Sequence, residues 1–140
     1  HIAGSELDGR TIPYDNSLEG LVSKKKDFIG KRSLEREAFI AEDRQKVVGV
    51  VPIDKKTSIP EGSHLVKDAM APTPNPKLGY ISASCWSVEY DNPFSLAILK
   101  DGKNMIGQKL FAMSPLKNKT IPVEIVSSHY VDPKGERVRS

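Results

Sequence analysis

Lys46-Val47-Val48-Gly49-Val50-Val51-Pro52-Ile53 is a run of β-branched apolar residues interrupted by one glycine and closed by a proline. β-Branched side chains are stiff at χ1 and fit a pleated surface better than a helix. The run therefore predicts a buried strand that Pro52 ends, because a proline has no N–H to continue a ladder.

Downstream, further strand candidates recur at short intervals, at residues 63–67 after the turn Pro60-Glu61-Gly62, and at 78–84, 94–99, 108–113 and 120–127. In the last of these, Ile121, Val123 and Ile125 alternate with polar residues, the period of a strand with one buried face. Pro122 should confine that strand to an edge or a bulge. Asp101-Gly102-Lys103 is a hairpin signal, and residues 71–76 form a proline-rich link. Six short strands separated by turn residues imply a sandwich or a barrel.

Upstream the pattern changes. The first 23 residues hold three glycines and no sustained period of 2 or 3.6, so they read as loop with short strand pieces. They begin with neither an initiator Met nor a helix cap, which suggests a chain cut from something longer. Residues 31 to about 41 (KRSLEREAFIA) are mostly good helix formers, with Leu34, Ala38 and Ala41 on one narrow stripe. This is the only helix the pattern predicts.

A chain of 140 residues that is 38% hydrophobic and 28% charged has room for one real core. No apolar run approaches the roughly 20 residues a membrane helix needs. The single cysteine, Cys85, cannot close an internal disulfide, which points to the reducing cytoplasm. The net charge of +3 is spread out, with eight basic and nine acidic residues before position 46, and lacks the clustered, aromatic-rich footprint of a nucleic-acid binder.

Catalytic and metal signatures are missing as well. His1, His64 and His129 lie far apart with no ligand spacing. Ser84 and Ser87 lack the glycines of a nucleophile elbow, and no glycine-rich phosphate loop exists for a flavin or NAD. Cys85 reads as a small packed side chain, and Tyr80 and Trp86 as core aromatics. Lys24-Lys25-Lys26 reads as a solvated face, or alternatively as an attraction for an anionic ligand. No residue is assigned a catalytic or metal-binding role.

Seven pieces of the chain carry a resemblance. DFIGKRSL (27–34), RQKVVGV (44–50), PEGSHLV (60–66), GYISAS (79–84), PFSLAIL (93–99), the glycine of MIGQKL (105–110) and DPKGER (132–137) are similar, in that order, to the folate-dependent aminomethyltransferase family typified by the glycine cleavage T-protein. Within it, VSKKKDFIGKRSL (22–34), CWS (85–87) and the closing DPKGER most resemble the carboxy-terminal part of heterotetrameric sarcosine oxidase alpha subunits. Dimethylglycine dehydrogenase has a similar region and is the nearest alternative.

The resemblance implies a mainly β chain, α+β overall. A six-stranded Greek-key-like barrel at 42–140 would follow a short helix and the loop-rich tail of a folate-binding domain at 1–41. It implies a fragment of an enzyme that oxidises sarcosine to glycine and passes the one-carbon unit to tetrahydrofolate. FAD, FMN and NAD would be held elsewhere in the parent complex and not by this piece. The implied partners are the missing N-terminal part of the same subunit and the beta, gamma and delta subunits, with no nucleic acid and no membrane.

Two site residues carry over from the family. Asp15, in Pro13-Tyr14-Asp15, stands where T-proteins generally have Glu and would accept hydrogen bonds from the pterin amino and ring N–H groups. Arg44, just before the first strand, would pair with a carboxylate of the folate tail. The plainer alternatives are an Asx turn at Asp15 and a surface ion pair of Arg44 with Glu42 or Asp43. Val131 stands where the family commonly has an aromatic before its DP pair, with Tyr130 one place earlier. A different class of reading is a barrel that docks other subunits and has no ligand of its own.

Overall fold

The computed structural model describes residues 3–70 and 76–139, so most of the proline-rich link lies outside the described residues. Six strands, β1 (Lys46–Pro52), β2 (His64–Val66), β3 (Gly79–Ser87), β4 (Asn92–Leu99), β5 (Lys109–Ser114) and β6 (Lys119–Val126), close into a barrel in the order β1-β4-β3-β2-β5-β6. Every pairing is antiparallel. The run β2-β3-β4 with β1 returning beside β4 is a Greek key. All six strands fall within a few residues of their expected positions.

Alternation fills the interior. Val48 and Val50 of β1 meet Leu65, Ile81, Ala97, Leu99, Leu110, Ala112, Ile121, Val123 and Ile125 in one core. Val47, Gly49 and Val51 on the opposite face are nonetheless buried, which accounts for the lack of polar alternation in the run. Gly49 is one of these positions: a Cβ there would lie 2.7 Å from the Phe94 ring and 2.5 Å from the Ser127 carbonyl oxygen. Phe94 in turn stacks on Tyr130, their centroids 4.6 Å apart, so the chain after β6 folds back over the outside of β1.

Several expectations are corrected. Pro122 lies on neither an edge nor a bulge, because the closed barrel has no edge and the β5–β6 register runs unbroken through it. Its carbonyl accepts from Ile53 N–H at 3.0 Å just beyond the β1–β6 pairing, so the missing N–H faces that same finished side of the strand. Asp101-Gly102-Lys103 is a turn but not a hairpin, since β4 neighbours β1 and β3 and the chain crosses over to reach β5. The two-strand hairpins form instead at 88–91 and 115–118.

The single helix at 31–41 is two turns, α1 (Lys31–Leu34) and α2 (Glu37–Ile40), parted where Arg36 is extended at ψ 141°. Neither has a side-chain cap or a buried residue, so the Leu34, Ala38 and Ala41 stripe gains no packing to offset helix nucleation. Cys85 and Trp86 are exposed rather than packed, and Tyr80 is half-buried. β3 pairs with β2 only at Gly79 and Tyr80, so its far half projects with β4 as a two-stranded arm. Within β3, Ser82 is a bulge whose hydroxyl donates to the Leu96 carbonyl at 3.2 Å.

The DPKGER motif closes the chain against this arm. Asp132 accepts from Glu136 and Arg137 N–H at 2.9 and 3.1 Å, starting the short turn α3 (Glu136–Arg139). Arg137 then forks onto both carboxylate oxygens of Glu89 in the β3–β4 turn.

Gly79 marks the tightest strand contact, where a Cβ would collide with the Ile98 carbonyl and lie 2.9 Å from Leu99 Cα. Gly79→Ala should cost about 1–3 kcal/mol in urea unfolding followed by circular dichroism. Val88→Ala, at the exposed arm tip, should stay within about 0.5 kcal/mol. Equal midpoints for the two variants would contradict this packing.

Candidate functional site

The segment before the barrel is tied to it at one place. β6 begins pairing with β1 at Gly49, so the Val47 N–H and C=O on that side face no strand. Asp15 C=O accepts from Val47 N–H at 2.6 Å, and the Ser17 hydroxyl donates to Val47 C=O at 3.3 Å. Residues 15–17 thus complete the ladder where β6 does not reach, and this fixes Asp15 beside the start of β1.

Its side chain is 3% exposed and meets Arg44 from across 29 residues of sequence. Arg44 Nε donates to Asp15 Oδ1 at 2.8 Å and Nη2 to Oδ2, a bidentate pair. Ile12 N–H adds a bond to Oδ2 at 3.1 Å. The rest of the guanidinium is also engaged: Nη1 donates to the Ala38 carbonyl at 3.0 Å, Nη2 reaches the Arg10 carbonyl at 3.4 Å, and the Phe39 ring lies beneath at 5.2 Å. The hydrogen bond to Asp15 raises Arg44 above its ordinary range.

Both sequence-derived site residues therefore line one cleft of about 400 Å³, together with Tyr14, Glu19, Phe39, Glu42, Lys46, Lys103 and Asn104. That volume is in the range of small-molecule sites. Arg44 makes no ion pair with Glu42 or Asp43 among the described residues, and Asp15 bonds backwards to Ile12 rather than forming an Asx turn. Sequence reasoning missed the Lys46–Glu19 ion pair, the Phe39 ring and the place of the 101–104 turn beside the cleft; the pair and the turn bring together segments far apart in sequence, and their meeting carries no local signal.

Counting donors and acceptors shows what the pair has left to offer. A carboxylate has about four acceptor sites and a guanidinium five N–H groups. Three of the former are filled, leaving one on Asp15 Oδ1, and one Nη1 N–H of Arg44 remains. Because Nε and Nη2 face the carboxylate, Nη1 lies on the other side of the guanidinium, so the residual acceptor and the residual donor would serve separate polar groups of a ligand.

The other candidates lie apart. Lys24, Lys25 and Lys26 are exposed, and Lys31 Nζ donates to the carbonyls of Lys24 and Lys26 at 3.5 and 3.2 Å. His64 is half-buried, and burial first, then Lys77, lowers its pKa. Cys85 and His129 line a separate cleft at the arm. No group of three or more potential metal ligands occurs among the described residues, and no helix there is long and apolar enough to cross a membrane.

Comparison with known proteins bears on the whole chain. Sarcosine oxidase subunit alpha from Rhizobium meliloti (strain 1021) is 33% identical over 139 residues, 99% of this chain. The proteins of that name from Corynebacterium strains P-1 and U-96 are 36% and 37% identical over 138 residues. The chain is homologous to sarcosine oxidase alpha subunits. It spans 14% of the length of these relatives. No family model matches it. The crystal structure of a glycine cleavage system aminomethyltransferase T from Bartonella henselae superposes with a TM-score of 0.70 at 20% identity, covering 91% of this chain and 34% of that one. The fold of this sarcosine oxidase alpha homologue is thus the closed barrel of that aminomethyltransferase class.

Arg44→Ala would strand the Asp15 carboxylate and should destabilise the chain by about 2–4 kcal/mol, somewhat below the loss for a fully dry pair because Arg44 is partly solvated. Adding Asp15→Asn should recover part of that loss, giving a coupling of at least about 1 kcal/mol in urea unfolding. Additive effects would show that the pair is not coupled.

A second check is pH. Burial raises Glu19, but the hydrogen bond and charge of Lys46 outweigh it, and its pKa falls below the ordinary carboxylate value. A lowered folded pKa means the pair stabilises fully above the unfolded carboxylate pKa and is lost as pH falls through the folded one. An NMR titration should give Glu19 a midpoint below that of the same residue in Lys46→Ala, and coincident midpoints would exclude the pair.

Proposed function

We propose that this chain forms one wall of a tetrahydrofolate site in a sarcosine oxidase alpha-type subunit. Residues 1–41 are then the tail of a folate-binding domain and 42–140 the barrel that covers it. The parent oxidatively demethylates sarcosine to glycine, and bound tetrahydrofolate supplies the nitrogen that accepts the one-carbon unit. The flavins and NAD of the parent complex belong to polypeptide outside this chain, as do its catalytic groups, and the setting is the cytoplasm.

The observation that carries this reading is the meeting of Asp15 and Arg44 in one cleft of small-molecule size, with one acceptor site left on Asp15 Oδ1. A reduced pterin presents amino and ring N–H donors, and one of these would be directed to Asp15 Oδ1. Arg44 holds the carboxylate in place, and Asp15 selects the protonated ring edge. The beta, gamma and delta subunits are partners of the assembled enzyme. The arm that exposes Trp86, Val88 and Tyr90 supports the second reading, a barrel that also docks other subunits.

The test is binding of 5-formyltetrahydrofolate to the complete enzyme by calorimetry. Asp15→Asn replaces the acceptor while keeping the shape, and should weaken binding about tenfold, the value of one hydrogen bond to a charged group. Val88→Ala should leave it unchanged. Wild-type affinity in Asp15→Asn would remove this cleft from the folate site.

A further inference from the structure

Three cations line the Asp15–Arg44 cleft, namely Arg44, Lys46 and Lys103. They differ in what they have left to give. All three guanidinium nitrogens of Arg44 are engaged with Asp15, Ala38 and Arg10. Lys46 is paired with Glu19. Lys103 is exposed and, among the described residues, enters no ion pair.

Its backbone is held firmly. On one side Gly102 is buried so closely that a Cβ would sit 2.9 Å from Val48 Cγ1, 3.0 Å from the Leu99 carbonyl and 3.1 Å from the Lys46 carbonyl. On the other, Met105 inserts into the barrel core. Asn104 bonds back to the Asp101 carboxylate at 2.7 Å and the Asp101 carbonyl at 3.0 Å. The crossover turn is thereby pinned at the start of β1, beside the cleft, and Lys103 is its exposed charged tip.

We propose that Lys103 is the residue that recognises an anionic group, a carboxylate, on the ligand of this cleft. The inference rests on the tetrahydrofolate reading, whose ligand carries two carboxylates on its glutamyl end. The family resemblance assigns that end to Arg44, but the geometry commits Arg44 to Asp15 and leaves the task to Lys103. With the Asp15–Arg44 and Lys46–Glu19 pairs each neutral, the remaining charges lining the cleft are Lys103 and Glu42. Glu42 opposes an anion, so the carboxylate is drawn toward Lys103.

Two ligands separate this inference from the reading beneath it: 5-formyltetrahydrofolate, which bears the carboxylates, and 6-methyltetrahydropterin, which lacks them. In the complete enzyme, Lys103→Ala should weaken binding of the first about threefold and Lys103→Glu about tenfold, with a reduced dependence on salt. Glu42→Gln should tighten it. None of the three should alter binding of 6-methyltetrahydropterin. Loss of both ligands alike in the Lys103 variants, or of neither, would overturn the role of Lys103. Failure of the unmodified enzyme to bind either ligand would overturn the tetrahydrofolate reading itself.

Discussion

The contact between Asp15 and Arg44 fixes everything else about the cleft. One carboxylate, nearly removed from water, must be matched by a donor set of the right shape, and only the planar fork of an arginine fills two acceptor sites at once. Because Arg44 immediately precedes the first barrel strand and Asp15 belongs to the loop-rich segment, satisfying that carboxylate also sets where the two parts lie. Phe39, Ala38 and Arg10 are gathered by the same guanidinium. A lysine in its place would supply a point charge and lose this geometry.

Barrel closure supplies the rigid base. β1 is flanked by β4 along most of its length and by β6 only from Gly49 onward, so its first residues are half-finished. Asp15 and Ser17 complete them. At the opposite end of the β3–β4 hairpin, Tyr130 lies on Phe94, its hydroxyl accepting from Asn92 Nδ2 at 3.1 Å, and Arg137 grips Glu89. The chain segments on either side of the strands thus pack against their outer surface, which is why the outward side chains of β1 are as dry as the inward ones.

The barrel was legible in the sequence because its signals are local. The alternation of Ile121, Val123 and Ile125 and the β-branched run at β1 each report burial within a few residues. Where the burial depended on a distant partner, the reading failed: Trp86 has strand composition but is left exposed, and the 31–41 segment has helix formers but neither of its turns buries a residue. Asp101-Gly102 has turn chemistry, yet only topology decides that this turn crosses the barrel end. Asp15 and Arg44 were found through family motifs, whereas their mutual contact and the neighbouring Lys46–Glu19 pair join positions nearly 30 apart and leave no periodic trace.

The bonds from Asp15 and Ser17 to Val47 bear on where this protein can be divided. A boundary drawn between residues 41 and 42 is what the family resemblance implies, yet the piece on its far side would open with an unpaired amide and carbonyl on its first strand. Grafting the barrel elsewhere would require carrying a short peptide spanning 12–17 along with it. The two parts are separable on paper and share a seam in three dimensions.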